Sequence, residues 1–198
     1  MNVVLTYRDY AALPNDGKRY EIHDGELSVT PAPGTRHQRV IGALFAGLRA
    51  HVIAHGLGEV FVSPFDVILS NSTIVQPDIT FVAAERSRIV SERGLEEAPT
   101  LAVEILSPST AHIDRSTKLQ LYARYAVPYY WIVDPEARSM EIYVLESGAY
   151  GGAQRRSGDP LVDLPPFAGL TLDATTSRPS YGVFAQRNPK FAPRTSRA

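Results

Sequence analysis

Apolar residues recur at Val40, Ile41, Leu44, Phe45, Leu48 and Val52 between His37 and about Ala54. Steps of three and four put them on one stripe, so the pattern predicts an amphipathic helix lying on a sheet. Before it, NDGKRYEIHDGELSVTPAP alternates around a turn signal and reads as a hairpin. Its strands lie near Tyr20–Ile22 and Glu26–Val29 and turn at Asp24-Gly25. TYRD, from Thr6 to Asp9, resembles a capping box opening a short helix to about Leu13. Further strands are expected near Glu59–Val62, Phe65–Leu69 and Asp78–Ala83, with a polar helical turn over Ala84–Val90.

TLAVEIL (100–106) predicts another strand, and Ile113–Tyr125 a helix stopped before Pro128. YYWIVD (129–134) is almost wholly apolar, as suits a strand covered on both faces. Strand, helix and strand in succession predict parallel, adjacent strands. Two more strands, near Ser139–Leu145 and Ala149–Arg155, suggest a terminal hairpin. The expectation is one mixed sheet flanked by helices, an α/β (α+β) fold. It would form a single domain over residues 1–185, followed by a basic, Pro-containing, flexible tail at 186–198.

Composition narrows the function classes. At 198 residues the chain can bury a full core without staples. It has no cysteine, which removes disulfides, thiolate nucleophiles and thiolate metal sites and is consistent with a cytoplasmic location. The opening MNVVLTYRDYAALP is not expected to be a secretory signal, and no stretch has the apolar length of a membrane span. With 20 basic and 21 acidic residues the formal net charge is −1. That argues against a packaging DNA binder, which carries a basic excess, but is compatible with an enzyme whose groove is locally basic. A homodimer is open.

The candidate chemistry lies in two strands. Parity groups Asp78 with Thr80 and Val82, and Glu104 with Ala102 and Leu106. If the strands pair antiparallel, Asp78 and Glu104 project together from one edge of the core, within metal-bridging range of roughly 4–6 Å. Two close carboxylates in an apolar setting must share a proton or bind a cation. Oxygen-only ligands suit Mg²⁺ (or Mn²⁺), and the Ile105 carbonyl is a third candidate ligand. On the following helix Lys118 shares a face with Asp114, Leu121, Tyr122 and Tyr125. It leans inward and would hold an attacking water or offset charge on a phosphate; the alternative is a surface ion pair with Asp114. Lys118→Ala is expected to abolish cleavage while leaving folding largely intact.

GKRYEIHDGEL, PGTRHQRV, VQPDITFV, LAVEILSPST and DRSTKLQLYARYAVPYYWIVDP together resemble the Uma2 family of restriction-endonuclease-like proteins, within the PD-(D/E)XK nuclease superfamily. The resemblance spans about residues 5–175. It implies a nuclease core in which Asp78 and Glu104 hold the metal. The motif Lys would follow the Glu by two residues, where this chain has Leu106, so the resemblance implies that its role has moved to Lys118. The chain departs from the family's usual GVPEYW run at Ala126 and Tyr129. The resemblance also raises His37, from the HQ motif, and Glu26, an extra acid beside the metal. Their alternatives are a structural core histidine and a solvent-facing strand residue. Gln76 and Ser107 flank the acids as supporting hydrogen-bond partners.

HVIAH (51–55) places two histidines one turn apart, but no third zinc ligand is evident. No nucleophile elbow, phosphate loop or dinucleotide fingerprint occurs. The leading expectation is a Mg²⁺-dependent endonuclease acting on DNA. The alternative is a non-catalytic nuclease-fold module that binds nucleic acid or a protein partner.

Overall fold

The fold is the expected mixed α+β arrangement of sheet and flanking helices, but the strands divide among two large sheets and a separate two-stranded hairpin rather than one sheet. The protein is described by a computed structural model that covers residues 3–158 and 160–172. The expected tail at 186–198 and the end of the expected domain lie outside the described residues.

The first layer begins with α1 (Tyr7–Ala11), entered through Thr6, whose backbone N–H and hydroxyl both donate to the Asp9 carboxylate. The hairpin of β1 (Arg19–His23) and β2 (Glu26–Thr30) follows. Asp24 and Gly25 both take positive φ, 51° and 87°, as the right-handed twist of a two-residue hairpin requires. The helix α2 (Thr35–His55) then buries Val40, Ile41, Leu44, Leu48 and Val52, the stripe read from spacing.

β3 (Gly58–Val62), β4 (Val67–Ser70), β5 (Thr73–Val75) and β6 (Ile79–Ala83) come next. A 3₁₀ helix (Ala84–Ile89) leads to the two-residue strands β7 (Val90–Ser91) and β8 (Gly94–Leu95). β9 (Leu101–Ile105) is buried at every position. The next helix has three parts: α3 (Ala111–Ile113), a π-helical turn (Asp114–Lys118) and α4 (Leu119–Arg124). β10 (Tyr129–Asp134) and β11 (Ser139–Glu146) precede β12 (Ala149–Tyr150) and β13 (Gln154–Ser157), which both pair with β11. β14 (Leu161–Leu164) and β15 (Phe167–Leu172) form a further hairpin.

The main sheet runs β12-β11-β10-β9-β6-β3, with β13 beside β11. β9 and β10 are parallel, as the strand–helix–strand order predicts, while β6 is antiparallel to both β3 and β9. The second sheet runs β2-β1-β5-β4-β8-β7. The expectation of one mixed sheet put β4 in the same sheet as β3 and β6; instead β5, too short to show a period of two, draws β4 and the hairpin into this second layer.

Side chains separate cleanly on the two faces of the main sheet. Val103, Ile105, Trp131 and Val133 meet α2 and the β14–β15 hairpin on one side. Ala102, Tyr130, Ile132 and Tyr122 meet the second sheet's Val67, Val75 and Leu95 on the other. Both central strands are therefore sandwiched, which accounts for the apolar run of β10. None of the described helices is long and apolar enough to cross a membrane.

Gly58 opens β3 at φ 141°, and a Cβ there would stand 2.0 Å from the Val82 carbonyl oxygen of β6. Gly58→Ala should therefore lower stability by about 2 kcal/mol or more in denaturant unfolding. A loss within a few tenths would mean that the β3–β6 pairing is looser than described.

Candidate active site

Asp78 ends the turn that enters β6, and Glu104 sits near the C-terminal end of β9. The register Ile79↔Val103 and Thr80↔Ala102, carried one step further, puts Asp78 across from Glu104. Both are 1% exposed.

Asp78 is gripped on both oxygens. Arg19 Nη1 donates to Oδ1 at 2.7 Å, the Ile105 N–H donates to Oδ2 at 2.8 Å, and His37 Nε2 lies 3.1 Å from Oδ2. Burial alone would raise this carboxyl, but His37, Arg19 and the Ile105 N–H outweigh it and hold it below its ordinary value. Asp78 is a carboxylate.

Glu104 has a different setting. Lys118 Nζ donates to its Oε1 at 2.8 Å and the Tyr122 hydroxyl to the same oxygen at 2.9 Å. Lys118 also donates to Glu21 Oε1 at 2.9 Å, and lies 3.9 Å from Asp114 Oδ1, beyond hydrogen-bond range. One ammonium is thus shared among three carboxyls. Burial pushes Glu104 up to about 8, helped by Asp114, Asp78 and Glu21 and only partly offset by Lys118. Asp114 is raised by burial too. Glu21 goes the other way: burial is outweighed by Lys118, His23 and Arg19, which hold it well below its usual range. Burial would discharge Lys118, but Glu104, Glu21 and Asp114 raise it above its ordinary value, so it stays an ammonium.

The structure therefore brings Asp78, Glu104, Lys118 and His37 together, with Ile105 contributing its N–H to Asp78. The surface alternative for Lys118 is overturned by its 2% exposure. Other expected residues fall elsewhere. Glu26 is exposed at the start of β2, paired across the hairpin with His23. Gln76 turns its side chain away, to the Tyr10 hydroxyl (2.9 Å) and Asp66 (2.8 Å), and only its backbone N–H reaches Glu21 Oε1, at 2.6 Å. The Ser107 hydroxyl lies 3.0 Å from those of Ser109 and Thr110, within its own loop.

Sequence reading missed Glu21 and Arg19. They share one face of β1 with His23, while Tyr20 and Ile22 take the other. The signal was polar residues at every second position, Arg19, Glu21 and His23, of a five-residue strand. Which face a hairpin buries depends on the sheet it joins, and that is not local information. The Asp114–Lys118 π turn was also invisible; of its five residues the first and last, Asp114 and Lys118, are buried.

The donor chemistry fits a hard divalent cation. Four buried acids (Glu21, Asp78, Glu104 and Asp114) face two permanently charged bases, Arg19 and Lys118, and Glu104 keeps its proton for want of further positive charge. Both hydrogen bonds to Glu104 arrive at Oε1, which leaves Oε2 for another partner. Among the described residues no group of three or more His, Cys, Asp and Glu side chains is arranged to hold a metal ion, so any ion here would rest on fewer protein carboxylates. One or two carboxylates completed by water is the habit of Mg²⁺.

A sequence profile of a family named Uma2, described as "putative restriction endonuclease", matches residues 7–175. Among solved structures, the crystal structure of "a putative nuclease belonging to DUF820" from Anabaena variabilis has the same fold. It superposes with a TM-score of 0.71 at 19% identity, over 86% of this chain and 95% of that one. No curated protein matches the chain.

The burial of Lys118 corrects the expectation that Lys118→Ala leaves folding intact. Removing the shared ammonium strands three acids, and without divalent ions should cost about 3–5 kcal/mol in urea unfolding. A loss under about 1 kcal/mol would contradict the geometry. Glu104 gives a pH signature. Its folded pKa of about 8 exceeds the ordinary 4.5, so its contribution to stability is full at low pH and is lost as pH rises towards and through 8. In EDTA, Glu104→Gln should match the wild type in thermal unfolding near pH 4.5 and exceed it increasingly up to pH 8. A pH-independent difference would refute the shift.

Proposed function

We propose that this chain, which belongs to the Uma2 family, is a metal-dependent nuclease that hydrolyses phosphodiester bonds of DNA. The observation that carries the reading is the Lys118 ammonium 2.8 Å from Glu104, at the sheet end where the register sets Asp78 opposite. That grouping supplies ion ligands and a fixed charge side by side, and it arises here although Leu106 stands where the family's Lys would lie.

In this reading Asp78 and Glu104 hold Mg²⁺ or Mn²⁺, with the Ile105 carbonyl as the third protein ligand. The bound ion would lower the pKa of a water and stabilise charge on the phosphate. The chain's own residues do the rest. Arg19, His37 and the Ile105 N–H fix the Asp78 carboxylate as an anion in one orientation. Glu21 and Glu104 fix the Lys118 Nζ between them. Two of its N–H groups are spent on these bonds, and the third lacks a hydrogen-bonded partner among the described residues. It is the donor left to orient a water or meet a phosphate oxygen as negative charge builds. The Tyr122 hydroxyl holds the Glu104 oxygen that Lys118 also uses, which would leave the second Glu104 oxygen to the ion.

One observation favours the alternative, a non-catalytic module of the same fold: the acids are almost wholly buried, and Asp78 is satisfied by protein groups on both oxygens.

Plasmid, DNA oligonucleotide and RNA oligonucleotide, incubated with purified protein across Mg²⁺ and Mn²⁺, separate the two. The nuclease reading predicts ion-dependent cleavage of DNA that EDTA stops. Asp78→Asn and Lys118→Met should reduce it at least about 10³-fold, and Lys118→Arg should also be poor because a planar fork replaces a point charge. Equal cleavage by Asp78→Asn, or none by folded wild type with either ion, would reject the enzyme. In the second case nucleic-acid binding without cleavage would favour the module.

A further inference from the structure

We infer that the N-terminus of α2, together with Arg19 and the loop at 107–110, forms a cradle for a phosphate of the nucleic-acid backbone at the mouth of the acid cluster. The ligand class rests on the nuclease reading; the geometry does not.

Helix α2 runs for 21 residues, and its N-cap is Gly34, which has no side chain to cap it. Its first turn contains no acid. It carries Arg36 and His37 instead. The first N–H groups of a helix are unpaired and bear partial positive charge, which sequences normally answer with Ser, Asp or an early Glu. Adding bases to that end makes sense when an anion arrives from outside.

A second observation comes from His37. Its side chain is 10% exposed, and Nε2 is engaged with Asp78. Its Nδ1 is buried with no hydrogen-bond partner. With an N–H at Nε2 facing Asp78, Nδ1 is left to accept, and a water ordered beside the phosphate, rather than a phosphate oxygen, is what would satisfy it. His37 borders a cavity of about 210 Å³ together with Gly34, Arg19 and Ser107. Arg19 makes a single hydrogen bond among the described residues, through Nη1 to Asp78, so the rest of its guanidinium is unspent.

The position explains why a chain, rather than a free phosphate, is the ligand. The cavity shares Arg19 with a second one of about 480 Å³ and shares His37 and Ser107 with a third of about 420 Å³. Lys18, paired with Asp16, borders the second; Arg36, paired with Glu136, and Arg115, paired with Asp134 and Glu141, border the third together with Asp134 and Glu136. The shared linings put the cradle between the other two cavities, which is the course the proposal gives the backbone, with one phosphate in the cradle. Arg19 and His37 both contact Asp78, so the phosphate in the cradle is the one beside the acids.

Gly34→Asp is the decisive variant. A Cβ at Gly34 meets nothing within 4 Å and φ is −73°, so the fold accepts it. Asp is a favoured cap, so Tm should be unchanged or higher. Its carboxylate would occupy the N–H groups and repel a phosphate. Binding is read by fluorescence anisotropy, in EDTA and in Ca²⁺, with short labelled oligonucleotides of DNA and of RNA and with a methylphosphonate DNA of the same sequence. Gly34→Asp should weaken phosphodiester binding about tenfold and flatten its salt dependence. Gly34→Ser should weaken it less, and the neutral methylphosphonate should bind poorly throughout. Arg19→Lys, which loses the fork, gives the same direction if Gly34→Asp fails to fold. Arg88→Ala, paired with Glu97 and lining none of the three cavities, should bind as wild type. Weaker binding of either sugar supports the cradle, and the stronger arm identifies the backbone. Wild-type affinity and salt slope in folded Gly34→Asp, or equal wild-type binding of phosphodiester and methylphosphonate, overturns it. Binding that depends on Gly34 without any cleavage would reject the nuclease reading alone, while cleavage indifferent to Gly34→Asp would reject the cradle alone.

Discussion

The rest of the site depends on one buried ammonium. Lys118 reaches from the π turn to Glu104 on β9 of the main sheet and to Glu21 on β1 of the second sheet. The two layers, packed through apolar side chains and also tied by the Arg19–Asp78 pair, are pinned at this end by a charge that neither could bury alone. An isolated ammonium or carboxylate in such a place would neutralise itself. Together they keep Lys118 and Glu21 charged, and leave Glu104 as the member whose charge depends on what else arrives.

That asymmetry connects packing to chemistry. Asp78 is a permanent anion because Arg19, His37 and a backbone N–H surround it. Glu104, opposite, is the acid that gives up a proton when positive charge is added. In the proposed function, one fixed and one adjustable carboxylate would take a divalent ion and couple its binding to pH. The cradle proposed at α2 would extend the same logic outward, since Arg19 and His37 touch both Asp78 and the cavity where a phosphate would lie.

Much of the main sheet was legible in the sequence. The stripe of α2, the Asp24-Gly25 turn and the apolar run of β10 are local periodicities, and the strand–helix–strand order fixes β9 and β10 as parallel neighbours. The second sheet was not legible, because β5, β7 and β8 have only two or three residues each and take their form from pairing. For the site, Asp78, Glu104 and Lys118 were marked by charge within apolar strands and by an inward helix face. Glu21 was missed in favour of Glu26, five residues later in the same hairpin. Both look alike as isolated strand acids, and only the partner on the far side of β1, Ile74 of β5, decides which face is closed.

The central claim is that Glu104 and Asp78 together take a divalent ion at the expense of the Glu104 proton. Calorimetric titration with Mg²⁺ or Mn²⁺ at pH 7, in buffers of different ionisation enthalpy, measures it directly. The account predicts saturable binding with release of about one proton per ion. Asp78→Asn should abolish the binding, and Glu104→Gln should weaken it and remove the proton release. No binding, or binding with no proton release and no response to either substitution, would contradict it.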